Sequence, residues 1–140
     1  MTAKIIDGKA FAQGLRERIA DHVERLKSEH NITPGLAVII VGHDPASQVY
    51  VNNKAKQTKE VGMNSFKYEL AADVPEAEVL SLIEELNNRD DVHGILCQLP
   101  VPKHIDENKI INALSPAKDV DCFSPENVGK VAIGLPGPVP

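Results

Sequence analysis

Tyr50 and Lys54 lie four residues apart, Gln98 closes an apolar run, and Asp119 and Asp121 flank the single residue Val120. On a helix, positions four apart sit one above the other on the same face. A tyrosine ring there can stack on a flat ligand while the neighbouring ammonium addresses the ligand's reactive centre. The run Asn52-Asn53-Lys54-Ala55-Lys56 also reads as an ordinary solvated helix face, because exposed helix lysines are common. Gln98 is a polar group at the end of a buried-type segment, and its amide must find partners in backbone, side chain or ligand. If residues 118–121 are extended, the Asp119 and Asp121 carboxylates face one way and Val120 the other. One of them can receive a bidentate amino-pyrimidine or guanidine-like group. The other is then left to pair with Lys118 or to cap a turn.

Other chemistries find no support. His22, His30, His43, His93 and His104 show no HExxH or other metal-ligand spacing and are read as solvated. There is no GxSxG elbow, P-loop or GxGxxG, so these residues encode no nucleotide site. Cys97 and Cys122 are far apart and outside any CxxC pattern, which fits free thiols in a reducing compartment.

The elements that must position these residues can be read from periodicity. Phe11, Leu15, Ile19, Val23 and Leu26 recur by fours and a three, one stripe of an amphipathic helix that ends near Asn31. After Thr33-Pro34-Gly35, the unbroken run Leu36 to Val41 suits a strand covered on both faces, as in a parallel sheet. Asp44-Pro45 opens a helix that runs to about Val61 and stops at Gly62. Ser65 to Leu70 alternates like a strand, and Val79, Leu82, Ile83 and Leu86 mark a helix between Pro75 and the polar Asn87 to Asp90. Gly94 to Leu99 reads as a second buried strand ended by Pro100 and Pro102, where a cis bond is allowed but not demanded. A shorter helix covers about Asp106 to Leu114. Strands alternating with helices specify an α/β domain of three layers, a mostly parallel sheet flanked by helices, with right-handed crossovers. In such sheets ligands bind beyond the carboxyl ends of the strands. Three segments therefore qualify, Gly42 to Lys56, Gln98 to Pro102 and Lys118 to Phe123.

The chain has 140 residues, 42% hydrophobic and 25% charged, enough for one domain with its own core. A net charge of −5 argues against nucleic acid or anionic lipid as a partner. No apolar run approaches the roughly 20 residues that span a bilayer, and the start of the chain has no signal-peptide core, so a cytosolic protein is expected. The end, Gly134-Leu135-Pro136-Gly137-Pro138-Val139-Pro140, propagates neither helix nor central strand and reads as a loop cut partway through.

Taken together these segments resemble one family, the bifunctional methylenetetrahydrofolate dehydrogenase/cyclohydrolases. The resemblance rests on Asp44-Pro45-Ala46-Ser47 with Tyr50-Val51 and Lys54, on Gly94-Ile95-Leu96-Cys97-Gln98-Leu99-Pro100, and on Pro116 with Lys118-Asp119-Val120-Asp121. It implies that residues 1–140 form the folate-binding catalytic domain, followed in the whole protein by a Rossmann domain for NADP. It further implies oxidation of 5,10-methylenetetrahydrofolate to the methenyl form and hydrolysis to 10-formyltetrahydrofolate, in a homodimer serving one-carbon metabolism and purine biosynthesis. By this resemblance Lys54 is the catalytic lysine and Gln98 supports it. Tyr50 packs on the aminobenzoyl part of folate, Asp121 holds the pterin edge, and Cys97 and Leu99 join the substrate contacts. Two positions depart from the family pattern. Cys97 replaces a usual valine, and Cys122 stands where glycine is usual, which would strain the loop if that position needs a positive φ. The competing readings are a folate-binding fragment or degenerate homologue without turnover, and a shikimate-type dehydrogenase domain sharing this sheet. The latter has no need of the combination of Tyr50, Lys54, Gln98 and Asp121.

Overall fold

Asp7 opens the first helix, α1 (Gly8–His30), by accepting a 2.9 Å hydrogen bond from the amide of Ala10. The computed structural model describes residues 5–139. At its far end α1 closes on Asn31, which takes a left-handed φ of 55°, and the amides of Asn31 and Ile32 return to the carbonyls of Lys27 and Leu26. These bonds satisfy carbonyls that a helix end otherwise leaves orphaned. The apolar stripe read from the sequence is buried only in its second half. Val23 is buried, whereas Phe11 is 70% exposed, because no other described element covers the first turns.

Strand β1 (Gly35–Val41) is the centre of a three-stranded parallel sheet in the order β2-β1-β3, with β2 at Asn64–Leu70 and β3 at Gly94–Cys97. Gly35 pairs with Asn64 and Val41 with Leu70 on one side, while Leu36 to Ile39 pair with Gly94 to Cys97 on the other. Alternation sends Ala37, Ile39 and Val41 to one face, where they pack with Val79, Ile83 and Leu86 of α3 (Glu76–Asn88) and Ile110 of α4 (Glu107–Ala113). Val38 and Ile40 go to the other face, against Val51 of α2 (Pro45–Glu60) and Leu96 of β3. A strand buried on both sides tolerates no polar interruption, which is why β1 is apolar throughout. Each fully buried aliphatic side chain here contributes about 1.5–3 kcal/mol.

The second buried strand is shorter than its apolar run suggests. It ends at Cys97, although the amide of Gln98 still donates to the carbonyl of Ile39 at 2.8 Å. The Leu99–Pro100 peptide is cis, so the chain leaves the sheet at that point. An eighth element, α5 (Pro125–Ala132), follows a Ser124 cap and lies where the sequence reading placed no element. Two of the histidines read as solvated are tied to backbone. His93 Nδ1 accepts from the Gly35 amide at 3.1 Å, and His104 Nε2 lies 2.8 Å from the carbonyl of Val74. Among the described residues no helix is long and apolar enough to cross a membrane.

Candidate active site

The site lies beyond the carboxyl ends of β1 and β3, where the two strands deliver three segments to one edge of the sheet. The first is the turn from β1 into α2. Gly42 supplies a φ of 84°, and Asp44 then caps the helix by accepting from both the amide and the hydroxyl of Ser47 at 2.8 Å. Pro45 takes the first helical position, where its missing N–H costs nothing. This well-capped start sets the rotation of α2 and so the direction of Lys54, ten residues after the cap. One turn further on, the Thr58 hydroxyl donates to the carbonyl of Lys54 at 2.7 Å.

The second segment is the exit from β3. Lys54 Nζ donates to Gln98 Oε1 at 3.2 Å, and Gln98 Nε2 donates to the carbonyl of Leu99 at 3.0 Å. An ammonium has no acceptor, so the amide oxygen must be the atom that faces it. The amide is thus held at both ends, its oxygen by Lys54 and its nitrogen by the carbonyl of Leu99. Cys97 is buried, and burial first, with the Glu107 charge second, pushes its thiol up to about 12. It is packing, not a nucleophile. Both cysteines are free thiols.

The third segment, residues 118–123, runs alongside β3. The amide of Ile95 donates to the carbonyl of Lys118 at 2.7 Å, and Ile95 bridges to Asp119 in parallel register. A Cβ on Gly94 would lie 2.5 Å from Val120 Cγ1, so only glycine lets the segment approach this closely. The two aspartates then divide the roles left open by their spacing. Asp119, 2% exposed, accepts from the amides of Phe123 and Ser124 at 3.2 and 2.8 Å and from Asn127 Nδ2 at 3.1 Å. Burial opposes its ionised form, but these bonds outweigh it and lower its pKa. Lys118 does not pair with either carboxylate. Its Nζ donates to the carbonyls of Leu86 and Arg89 at 3.2 and 2.7 Å, closing the C-terminal end of α3.

Asp121 is half-buried and makes no such turn bonds. Burial raises its pKa, the positive charge of Lys54 opposes that rise, and Asp119 adds to it. The carboxylate is therefore within electrostatic reach of the lysine. Asp121, Cys97, Leu99 and Phe123 line one crevice beside the strand ends. Cys122, immediately after, has a φ of 58°, so the position where glycine was expected does adopt the left-handed region. Tyr50 stands one helical turn before Lys54 and is 62% exposed. The structure thus brings Lys54, Gln98 and Asp121 to one locus, with Cys97 and Leu99 beside Asp121 in the adjoining crevice. Thr58 and Asn127 were missed in the sequence. Asn127 is 1% exposed and donates to the carbonyl of Pro116 at 2.8 Å as well as to Asp119. Its only sequence signal was the Ser124-Pro125 helix start two positions before it.

The helix N-terminus nearest the site, where a phosphate would be bound in a nucleotide fold, is filled by the chain's own Asp44 carboxylate. Among the described residues there is also no group of three or more acidic, histidine or cysteine side chains able to hold a metal ion.

A parallel α/β domain that gathers a lysine held by a glutamine, and a carboxylate, at its strand ends has the layout of an α/β enzyme domain. The chain belongs to the tetrahydrofolate dehydrogenase/cyclohydrolase family, whose catalytic domain matches residues 6–121. It is 59% identical over all of its 140 residues to bifunctional protein FolD 1/3 of Ruegeria pomeroyi, covering 47% of that protein. Among solved structures it resembles the bifunctional FolD enzyme of Campylobacter jejuni, at 45% identity and a TM-score of 0.92 over 96% of this chain and 48% of that one. It also resembles the Trypanosoma brucei enzyme solved with NADP cofactor and inhibitor, at 35% identity and a TM-score of 0.93 over 99% and 47%. The chain spans about half the length of the curated relatives it matches.

Proposed function

We propose that this chain is the folate-binding catalytic domain of a bifunctional methylenetetrahydrofolate dehydrogenase/cyclohydrolase, and that NADP is held by the other half of the whole protein, which acts as a cytosolic homodimer. The observation that carries this reading is the 3.2 Å bond from Lys54 to Gln98 at the strand ends, with the Asp121 carboxylate within reach of the same ammonium.

Hydrolysis of methenyltetrahydrofolate requires water to add to a cationic carbon bridging two nitrogens. In the amine form, Lys54 takes a proton from that water as the new C–O bond forms. It returns the proton to the departing nitrogen as the C–N bond breaks, and the hydroxyl proton of the adduct passes to solvent as the formyl group is completed. Gln98 accepts from the lysine and keeps its nitrogen aimed at the bridge. The Asp121 carboxylate can accept two hydrogen bonds from the pterin amino group and its neighbouring ring nitrogen. Tyr50 offers its exposed ring to the aminobenzoyl group. Fixing the ligand at both ends puts the bridge beside Lys54, which is how positioning lowers a barrier. Oxidation of the methylene form belongs to the NADP-bearing whole protein.

The test is calorimetric titration of the chain with tetrahydrofolate. We expect saturable binding that Asp121→Asn and Tyr50→Ala each weaken, while the folded state survives. Absence of saturable binding by the parent chain, or unchanged affinity in both variants, would count against the folate assignment.

A further inference from the structure

Asn127 sits in the first turn of α5 and is 1% exposed. Its Nδ2 donates twice, to the carbonyl of Pro116 at 2.8 Å and to Asp119 Oδ2 at 3.1 Å, and its backbone amide donates to Ser124 Oγ at 3.3 Å. One residue therefore ties together the entry, the middle and the exit of the segment 116–124. Two diverging hydrogens on one nitrogen make this possible, since a serine or threonine hydroxyl offers a single donor and an ionised aspartate offers none. A buried amide is costly to desolvate, but a fully bonded polar network fixes one arrangement of the groups it joins.

The ties enclose Asp121. On its N-terminal side Val120 packs against the cluster of Val38, Ile40, Val51 and Leu96. On the other side the amides of Phe123 and Ser124 are held by the Asp119 carboxylate. Only Asp121 and Cys122 span the gap, and Cys122 turns the chain at its left-handed φ of 58°. Asp121 makes none of the bonds that hold its neighbours, so its direction is inherited from the backbone on either side. That backbone is set by Asp119, and Asp119 is tied to Pro116 through Asn127.

We propose that Asn127 is a positioning residue for folate, which aims the Asp121 carboxylate at the pterin edge by clamping Asp119 to Pro116. This deepens the folate reading above and rests on it. Two parallel hydrogen bonds from an amino group and a ring nitrogen tolerate little error in the plane of the carboxylate. A loop free to shift would lose the pair even with Asp121 in place, much as a small misplacement far from the reacting atoms costs rate. Asn127 acts through Asp121 and not through Tyr50, which is carried by α2.

Calorimetric titration with tetrahydrofolate in three backgrounds tests this, with circular dichroism confirming that each variant is folded. In the parent chain Asn127→Ala should weaken binding about tenfold, mid-range for residues coupled through one hydrogen-bond network. With Tyr50→Ala already present, the same loss should recur. With Asp121→Asn present, Asn127→Ala should change affinity by less than about twofold, because the contact it aims is already gone. Independently of any variant, the Nδ2 hydrogens of Asn127 and the Ser124 amide of the parent should exchange more slowly once tetrahydrofolate is bound. The slowing should reach about 100-fold when free ligand is about 100 times Kd, since the ligand binds only the clamped loop. A parent chain that does not bind overturns the folate reading, and the positioning role with it. Where the parent does bind, three results each overturn the role of Asn127 alone. They are parent-like affinity in Asn127→Ala, an equal loss in the parent and Asp121→Asn backgrounds, and exchange that the ligand does not slow.

Discussion

Lys54 Nζ and Gln98 Oε1 are joined across 3.2 Å, although they are 44 residues apart, one on helix α2 and the other just past the end of β3. The bond fixes a flexible four-carbon side chain at its tip. Its partner is held in turn by the carbonyl of Leu99, so the amine has a defined position before any ligand arrives.

If Lys54 carries the proton transfers of hydrolysis, Lys54→Met in the full-length protein should lower methenyltetrahydrofolate hydrolysis by about 100- to 10,000-fold, the usual range for general acid–base assistance. Dehydrogenase turnover on the same preparation should fall far less, since methionine keeps the helix propensity and much of the length of the side chain. Equal loss of both activities would reassign Lys54 to binding.

The companion residue gives a graded effect. Gln98→Ala removes the acceptor without touching the amine, so hydrolysis should fall while folate affinity changes little. Gln98→Glu keeps an acceptor but adds a negative charge beside the ammonium. It should move the acid limb of the pH–rate profile to higher pH, because a neighbouring carboxylate favours the protonated lysine. A pH profile identical in Gln98→Glu and parent would show that the bond does not reach the reacting proton.

The paired aspartates predict opposite stability changes. For Asp119 the folded pKa is lowered, so its contribution is present above the ordinary carboxylate pKa and is lost as pH falls through the lowered value. Asp119→Ala leaves two amides and Asn127 without their acceptor and should cost about 2–4 kcal/mol at pH 7, with little effect near pH 2. For Asp121 the folded pKa is raised, so ionising it as pH rises from the ordinary value through the raised one costs stability. Asp121→Asn should therefore raise the unfolding midpoint at pH 7 while it weakens folate binding. Urea unfolding across the pH range separates the two, and equal destabilisation by both variants would mean that the division of roles is wrong.

Much of this arrangement was legible in the sequence because it rests on local signals. An unbroken β-branched run has few places to go other than a doubly covered strand, and β1 is there. The Asp44-Pro45 start gave α2 its phase, and hence the shared face of Tyr50 and Lys54. The choice between Asp119 and Asp121 was not legible, because alternation puts both on one side. Only the return of the chain, which brings the Phe123 and Ser124 amides onto Asp119, distinguishes them. Helix α5 was missed because Gly129 interrupts a segment with few apolar residues, although its Ser124 cap was in view. The α1 stripe shows the converse. Periodicity reports that a helix has an apolar face and says nothing of what covers it, and Phe11 remains exposed.

The last prediction concerns Cys122, which occupies the left-handed region at φ 58° immediately after Asp121, the carboxylate proposed to bind the pterin. For a residue with a Cβ that conformation costs about 1–2 kcal/mol. Glycine adopts it freely but loses roughly 0.5–1 kcal/mol more backbone entropy on folding. Cys122→Gly should therefore stabilise the chain by a net of about 0.5–1 kcal/mol. For a domain of this size that corresponds to a rise of roughly 1–4 °C in Tm. Cys122→Ala separates conformation from the thiol: alanine keeps the Cβ and should leave Tm close to the parent. Cys122→Val should lower it, since a β-branched side chain is the least tolerant of this region. Because the strained position adjoins Asp121, tetrahydrofolate titrations of the same three variants would show whether relaxing the loop changes the pose of the carboxylate. A Cys122→Gly chain that melts below the parent would mean that the cysteine's contacts outweigh its backbone strain.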